Sequence, residues 1–186
     1  MKEYLQKCCL LIFIDSFQKE NPDSEIQQRL TGKLVAMLAA FPVTKKIYYS
    51  GEAADFDGFD SLYSTIYFPI SDHPTVNYQH AFEKAFADGF RKVVMITPQT
   101  PQLEIKHLEE AFYALKIIEF AIGPATNGSY YLLGMNNFEP DILEINASTS
   151  HTKYKATIRA IGEMKAALYK LPIFTIVKTQ NDFDVL

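Results

Sequence analysis

Short apolar runs alternate along this chain with longer stretches whose apolar residues recur at steps of three and four. No other feature restricts the fold as much. Runs of this length read as strands: Cys8–Ile14, 46–49, 64–68, Lys92–Ile96, 119–122, 130–133 and 173–177. Between them lie helical patterns. Ser24 is placed to cap a helix carrying Ile26, Leu30, Leu34 and Leu38 on one face. Thr75 is placed to cap a second, with Tyr78, Phe82, Ala85 and Phe86 inward and Gly89 as its stop. A third runs over about 103–115 through Leu108, Ala111, Phe112 and Leu115. A fourth follows Ser150 and turns Thr157, Ile161, Met164 and Leu168 inward. Strands alternating with helices imply βαβ units, and so an α/β fold of three layers, α/β/α, around a mainly parallel sheet. The pair Asn127-Gly128, between apolar 119–122 and Tyr130, predicts a two-residue reversal and adds an antiparallel hairpin.

A chain of 186 residues, nearly half of them apolar and with 14 Phe and 11 Tyr, has core material for one domain spanning 1–186. Its net charge of −4, with Lys and Arg scattered in pairs such as Lys45-Lys46 and Arg91-Lys92, argues against a nucleic-acid surface. The loop over 50–60, rich in Gly, Ala and Asp, reads as surface. The first apolar run is far too short to span a membrane and lacks the features of a secretory signal, so a cytoplasmic protein is expected. Cys8 and Cys9 are adjacent in a strand and point to opposite faces, which suits core packing and a reducing compartment rather than a disulfide. His73, His80, His107 and His151 lack metal-ligand spacing.

In open α/β sheets a ligand sits beyond the carboxyl ends of the strands. The loop after 92–96 is therefore the first place to look, and it reads Thr-Pro-Gln-Thr-Pro-Gln-Leu over 97–103. Residues 123–134 read Gly-Pro-Ala-Thr-Asn-Gly-Ser-Tyr-Tyr-Leu-Leu-Gly. This resembles the Gly-Pro-Ala-x-Asp-Gly-Gly-Tyr-Tyr-Leu-x-Gly signature of a family of small bacterial glycosyltransferase-like proteins. Those proteins have the nucleotide-diphospho-sugar transferase fold of GT-A type. Pro101 and Leu103 match that family's Gly-Ser-Asp-x-Pro-x-Leu loop, Arg29-Leu30 its Lys-Thr-Arg-Leu run, and Ser148-Thr149 its Trp-Ser-Thr. Val177, Thr179 and Asp182 match its acidic tail.

The resemblance implies transfer of a sugar from a nucleotide-diphosphate donor with Mg²⁺ or Mn²⁺. By the same resemblance, the acids of the metal site are replaced here by Gln99, Asn127 and Lys178. Hard cations need carboxylate oxygens, so no cofactor is firmly implied. The residues expected around the pocket are Asp15, Arg29, Gln99, Asn127, Gly128 and Tyr130, with His151 as a base on an acceptor and Lys178 as a counter-charge for pyrophosphate. Two readings stay open: a nucleotide-sugar transferase with weakened or absent metal dependence, and a catalytically silent binding protein on the same fold. A nucleotidyltransferase would need a glycine- and cation-rich first loop, and the stretch 15–22 holds no glycine.

Overall fold

The computed structural model describes residues 3–14, 24–39, 41–49, 65–69, 74–145, 150–177 and 182. These residues form strands β1 (Cys8–Ile14), β2 (Thr44–Tyr49), β3 (Thr65–Pro69), β4 (Lys92–Ile96), β5 (Phe120–Pro124), β6 (Tyr130–Met135) and β7 (Leu168–Lys170). The helices are α1 (Ser24–Leu38), α2 (Pro74–Ala87), α3 (Ile105–Ala114), α4 (Pro140–Leu143) and α5 (Ser150–Glu163). One sheet takes all seven strands in the order β3-β2-β1-β4-β6-β5-β7. Only β6 runs against its neighbours; the other pairings are parallel. The strand order reverses between β1 and β4, which places a topological switch point there.

Helices cover both faces, as the alternation predicts. On one face Leu34, Val35 and Leu38 of α1 join Leu108 and Phe112 of α3 over Leu10, Ile12, Val94 and Ile96. On the other, Phe82, Ala85, Ile142 and Ile161 cover Cys9, Leu11, Val93 and Met95. Cys8 and Cys9 fall in opposite cores, and burial pushes each thiol up to about 12. Both remain free. The Lys45-Lys46 pair adds nothing to the surface, because both side chains are fully buried. The Lys45 ammonium donates to the Phe41 carbonyl at 2.7 Å, and Lys46 pairs with Asp88 at 2.6 Å.

Three details differ from the sequence reading. Pro74 takes the first position of α2, so Thr75 lies inside the helix rather than capping it; proline suits that position because its missing N–H would have no partner there. Helix α5 ends at Glu163, and Lys165, at φ 56°, turns the chain back, leaving Met164 exposed and handing Leu168 to β7. Residues 173–177 are not a strand. Pro172 precedes them without an N–H to donate, and their only ladder contact among the described residues is a single bridge between Ala125 and Phe174. The loop over 50–60 lies outside the described residues. No helix among the described residues is long and apolar enough to cross a membrane.

Candidate functional site

At the carboxyl edge of β4 three segments converge: the loop 97–104, the β5–β6 hairpin and the stretch 171–177. Their backbones are bonded together. Thr97 N–H donates to the Tyr131 carbonyl at 3.0 Å, and Val177 N–H to the Gln99 carbonyl at 2.8 Å. Thr126 N–H donates to the Phe174 carbonyl at 2.9 Å, and Thr175 N–H to the Gln102 side-chain oxygen at 3.3 Å. The stretch 174–177 thus bridges the hairpin and the loop. On the loop's other side Lys33 of α1 donates to the Pro101 carbonyl at 2.9 Å. Backbone groups bonded on both sides hold the loop in place without regular secondary structure.

The hairpin is tight but not the predicted two-residue turn. Gly128 N–H donates to the Ala125 carbonyl at 3.0 Å and Ala125 N–H to the Ser129 carbonyl at 2.9 Å, which makes a three-residue loop of Thr126, Asn127 and Gly128. Gly128 sits at φ 79° whereas Asn127 is not at positive φ, as in a type I turn closed by a left-handed glycine. The Asn127 side chain stabilises this form by accepting the Ser129 N–H at 3.1 Å. The Gly128 carbonyl accepts the Tyr154 N–H at 3.0 Å, tying the hairpin to the first turns of α5.

The predicted residues divide accordingly. Gln99, Asn127 and Gly128 lie on the converging segments, Gln99 through a backbone bond to Val177. Arg29 is exposed on α1, one turn before Lys33. Tyr130 opens β6 but is buried, and Tyr131 is buried in the opposite core, so neither ring is open to solvent. His151 lies in the first turn of α5. Asp15 and Lys178 lie outside the described residues.

A residue the sequence reading missed is Lys153. Its ammonium nitrogen lies 4.8 Å from the centre of the Tyr130 ring and 5.1 Å from that of Tyr78 on α2. Burial lowers its pKa below the ordinary 10.5. Burial also raises the Tyr130 phenol, with Tyr78 adding to the rise and the Thr157 hydroxyl opposing it. The signal in sequence was spacing: Lys153, Thr157 and Ile161 recur at four, which puts the lysine on the inward face of α5.

His107 supports the loop from behind. Its Nδ1 accepts the Glu104 N–H at 3.1 Å, which requires a lone pair on that nitrogen, and its ring packs edge-on to Phe174 at 4.9 Å. Burial, then Lys106, lowers its pKa below 6.5, against opposing pulls from Glu104 and Glu110. The unfolded chain therefore binds the proton more readily. The stabilisation from neutral His107 is complete above pH 6.5 and is lost as pH falls through the lowered folded value. Urea unfolding from pH 7.5 to 5 is expected to show a steeper loss in the wild type than in His107→Gln. Equal slopes would refute this role.

No group of three or more His, Cys, Asp or Glu able to hold a metal occurs among the described residues. At this edge the described groups offer a cation chiefly amide and backbone oxygens, and Asn127 Oδ1 is already used by its own turn. On the described residues alone this is a poor donor set for Mg²⁺ or Mn²⁺, which ordinarily take one or two carboxylates. A cavity of about 490 Å³ lies at the opposite, amino end of the sheet, lined by Lys7, Arg91, Lys92 and Lys116 among others. It is remote from the converging loops.

Comparison with known proteins agrees with this architecture. Residues 71–149 match the model of a family described as "Uncharacterized protein conserved in bacteria (DUF2064)". The chain is similar in structure to a candidate nucleotide-diphospho-sugar transferase from Desulfovibrio desulfuricans, with a TM-score of 0.82 at 23% identity over 96% of this chain and 85% of that one. It is also similar to 4-diphosphocytidyl-2C-methyl-D-erythritol synthase from Anaerococcus prevotii, with a TM-score of 0.61 at 10% identity over 100% and 97%. Rv0371c from Mycobacterium tuberculosis, in complex with manganese, gives 0.53 at 13% identity over 96% and 97%. No curated protein matches the sequence. The chain thus carries, over residues 71–149, the sequence pattern of this uncharacterized bacterial family, on a nucleotide-diphospho-sugar transferase-like fold.

Proposed function

We propose that the carboxyl edge of the sheet binds a nucleotide-diphosphate sugar, with catalysis that depends weakly or not at all on a divalent metal. The carrying observation is the convergence of the loop 97–104, the hairpin and the stretch 174–177 beside the switch point of the sheet. That is the place where folds of this kind take nucleotides. The names of the similar structures, a candidate nucleotide-diphospho-sugar transferase and a 4-diphosphocytidyl-2C-methyl-D-erythritol synthase, support the same ligand class. In this reading Arg29, Gln99, Asn127 and Gly128 surround the ligand, Tyr130 lies buried behind them, and Asp15 follows β1. His151 is the base toward an acceptor hydroxyl, and Lys178, next after Val177, supplies positive charge to the leaving diphosphate.

A second reading, a binding protein on this fold without catalysis, is favoured by one observation. Asn127, at the position of an acid in the resembling family, spends its side chain on its own turn. Calorimetric titration with UDP, GDP and their common sugars, with Mg²⁺ or Mn²⁺ and again with chelator, tests the first reading. Binding that survives chelation is expected, with a Kd in the micromolar range, on the order of −8 kcal/mol. No binding of any donor in either condition would overturn it. Binding without release of the nucleoside diphosphate in the presence of sugar and lipid acceptors would favour the second reading.

A further inference from the structure

A part-buried ammonium normally keeps a carboxylate beside it, because desolvating a lone cation is costly. Among the described residues Lys153 has none: no ion pair links it to an acid, and its ammonium lies over the faces of Tyr78 and Tyr130. Two ring faces attract a cation through their quadrupoles, yet they leave its N–H donors without acceptors. The helix that carries it is fastened to the hairpin through the Tyr154 N–H and the Gly128 carbonyl, so Lys153 stands beside the same edge as the converging loops. Tyr130 belongs to β6 at the start of the hairpin's return strand, and Tyr78 to the buried flank of α2. The two rings hold the amine from opposite elements and restrict where it can point. Such a group is built to receive an anion.

We propose that Lys153, held between Tyr78 and Tyr130, is the anion-binding group of this edge and takes the diphosphate of the bound ligand. This rests on the reading of the edge as a nucleotide-diphosphate site. It supplies, from the fold itself, charge that the described residues cannot gather by holding a metal. Tyr130 then acts as a positioning residue through Lys153 rather than by touching the ligand, which fits its burial.

The test uses the whole chain in chelator, with inorganic pyrophosphate, UDP and uridine as calorimetric probes, on the wild type, Lys153→Met and Lys153→Arg. The expected result is a loss of at least tenfold in affinity for pyrophosphate and UDP in Lys153→Met. Uridine affinity should not change, and Lys153→Arg should restore most of the loss. The melting temperature of Lys153→Met should equal or exceed that of the wild type, because methionine replaces an unpaired half-buried charge. Wild-type pyrophosphate and UDP affinity in Lys153→Met would overturn the inference while leaving the nucleotide reading intact. Pyrophosphate binding through Lys153 without binding of any nucleotide would do the reverse. A marked fall in melting temperature with unchanged affinity would reduce Lys153 to a packing residue and also overturn it.

Discussion

Gly123→Ala is expected to destabilise the fold by about 3 kcal/mol, at the upper end of the usual cost of overpacking a core. A β-carbon at Gly123 would lie 2.4 Å from Cζ of Tyr131 and 2.6 and 2.8 Å from its two Cε atoms. The ring has little room to yield. Its hydroxyl donates to the Pro172 carbonyl at 3.0 Å, and its face stacks on Phe174 at 4.8 Å and 25°. Strand β5 cannot retreat either, since it is paired with β6 on one side and β7 on the other. For a chain of this length the melting temperature should fall by roughly 6–12 °C. Thermal unfolding followed by circular dichroism measures this. A midpoint within a degree or two of the wild type would mean that the ring moves aside freely. Glycine is needed here for close approach rather than for its backbone freedom.

Gly123 opens the 123–134 segment, and the case shows which parts of the fold were legible. Strands β1 and β4 are continuous apolar runs buried on both faces, so their ends appear where charge returns at Lys7 and Lys92 and where apolarity stops. The stretch 173–177 has the same β-branched and aromatic composition, yet pairing depends on a neighbour, and among the described residues only Phe174 has one, at Ala125. Composition cannot register that. The hairpin was legible as a reversal at Asn127-Gly128, but its loop length depends on which of the two residues takes positive φ, a choice made by the Asn127 bond to Ser129.

The candidate site was legible as a place more than as a set of side chains. The loop 97–103 follows from the rule that ligands sit beyond the carboxyl ends of strands, whereas Gln99, Asn127 and Gly128 come from the family resemblance; all three lie on the converging segments. Tyr130 was expected around the pocket, and its side chain is buried. Lys153 was passed over because a helical lysine between charged and polar neighbours ordinarily reaches solvent. Its spacing with Thr157 and Ile161 offered the inward face, and α5 docking on the sheet through Ile161 and on the hairpin through Tyr154 fixes it there. For Lys45 and Lys46 only tertiary structure decides: the pair looks like surface in sequence and is fully buried.

Tyr131→Ala should have the largest effect, about 3–5 kcal/mol, as for other large aromatic truncations in a packed core. The ring is fully buried and makes three contacts with two neighbours of β6: it lies over Gly123 of β5, and it stacks on Phe174 and is bonded to Pro172 in the stretch 171–177. Removing it frees the stretch 171–177 from the sheet, so the loss should reach the site. The amide protons of Thr126, Thr175 and Val177, which join that stretch to the hairpin and the loop 97–104, should exchange faster than in the wild type. Tyr131→Phe separates the contributions, since it keeps the stack and should cost only about 1 kcal/mol for the lost bond to Pro172. The double variant Gly123→Ala, Tyr131→Ala decides whether the clash and the cavity are two sides of one contact. The added methyl would then enter the space the ring left, and the double variant should be more stable than the sum of the single losses by about 1–3 kcal/mol. Strict additivity in urea unfolding would mean that Gly123 and Tyr131 act through different neighbours.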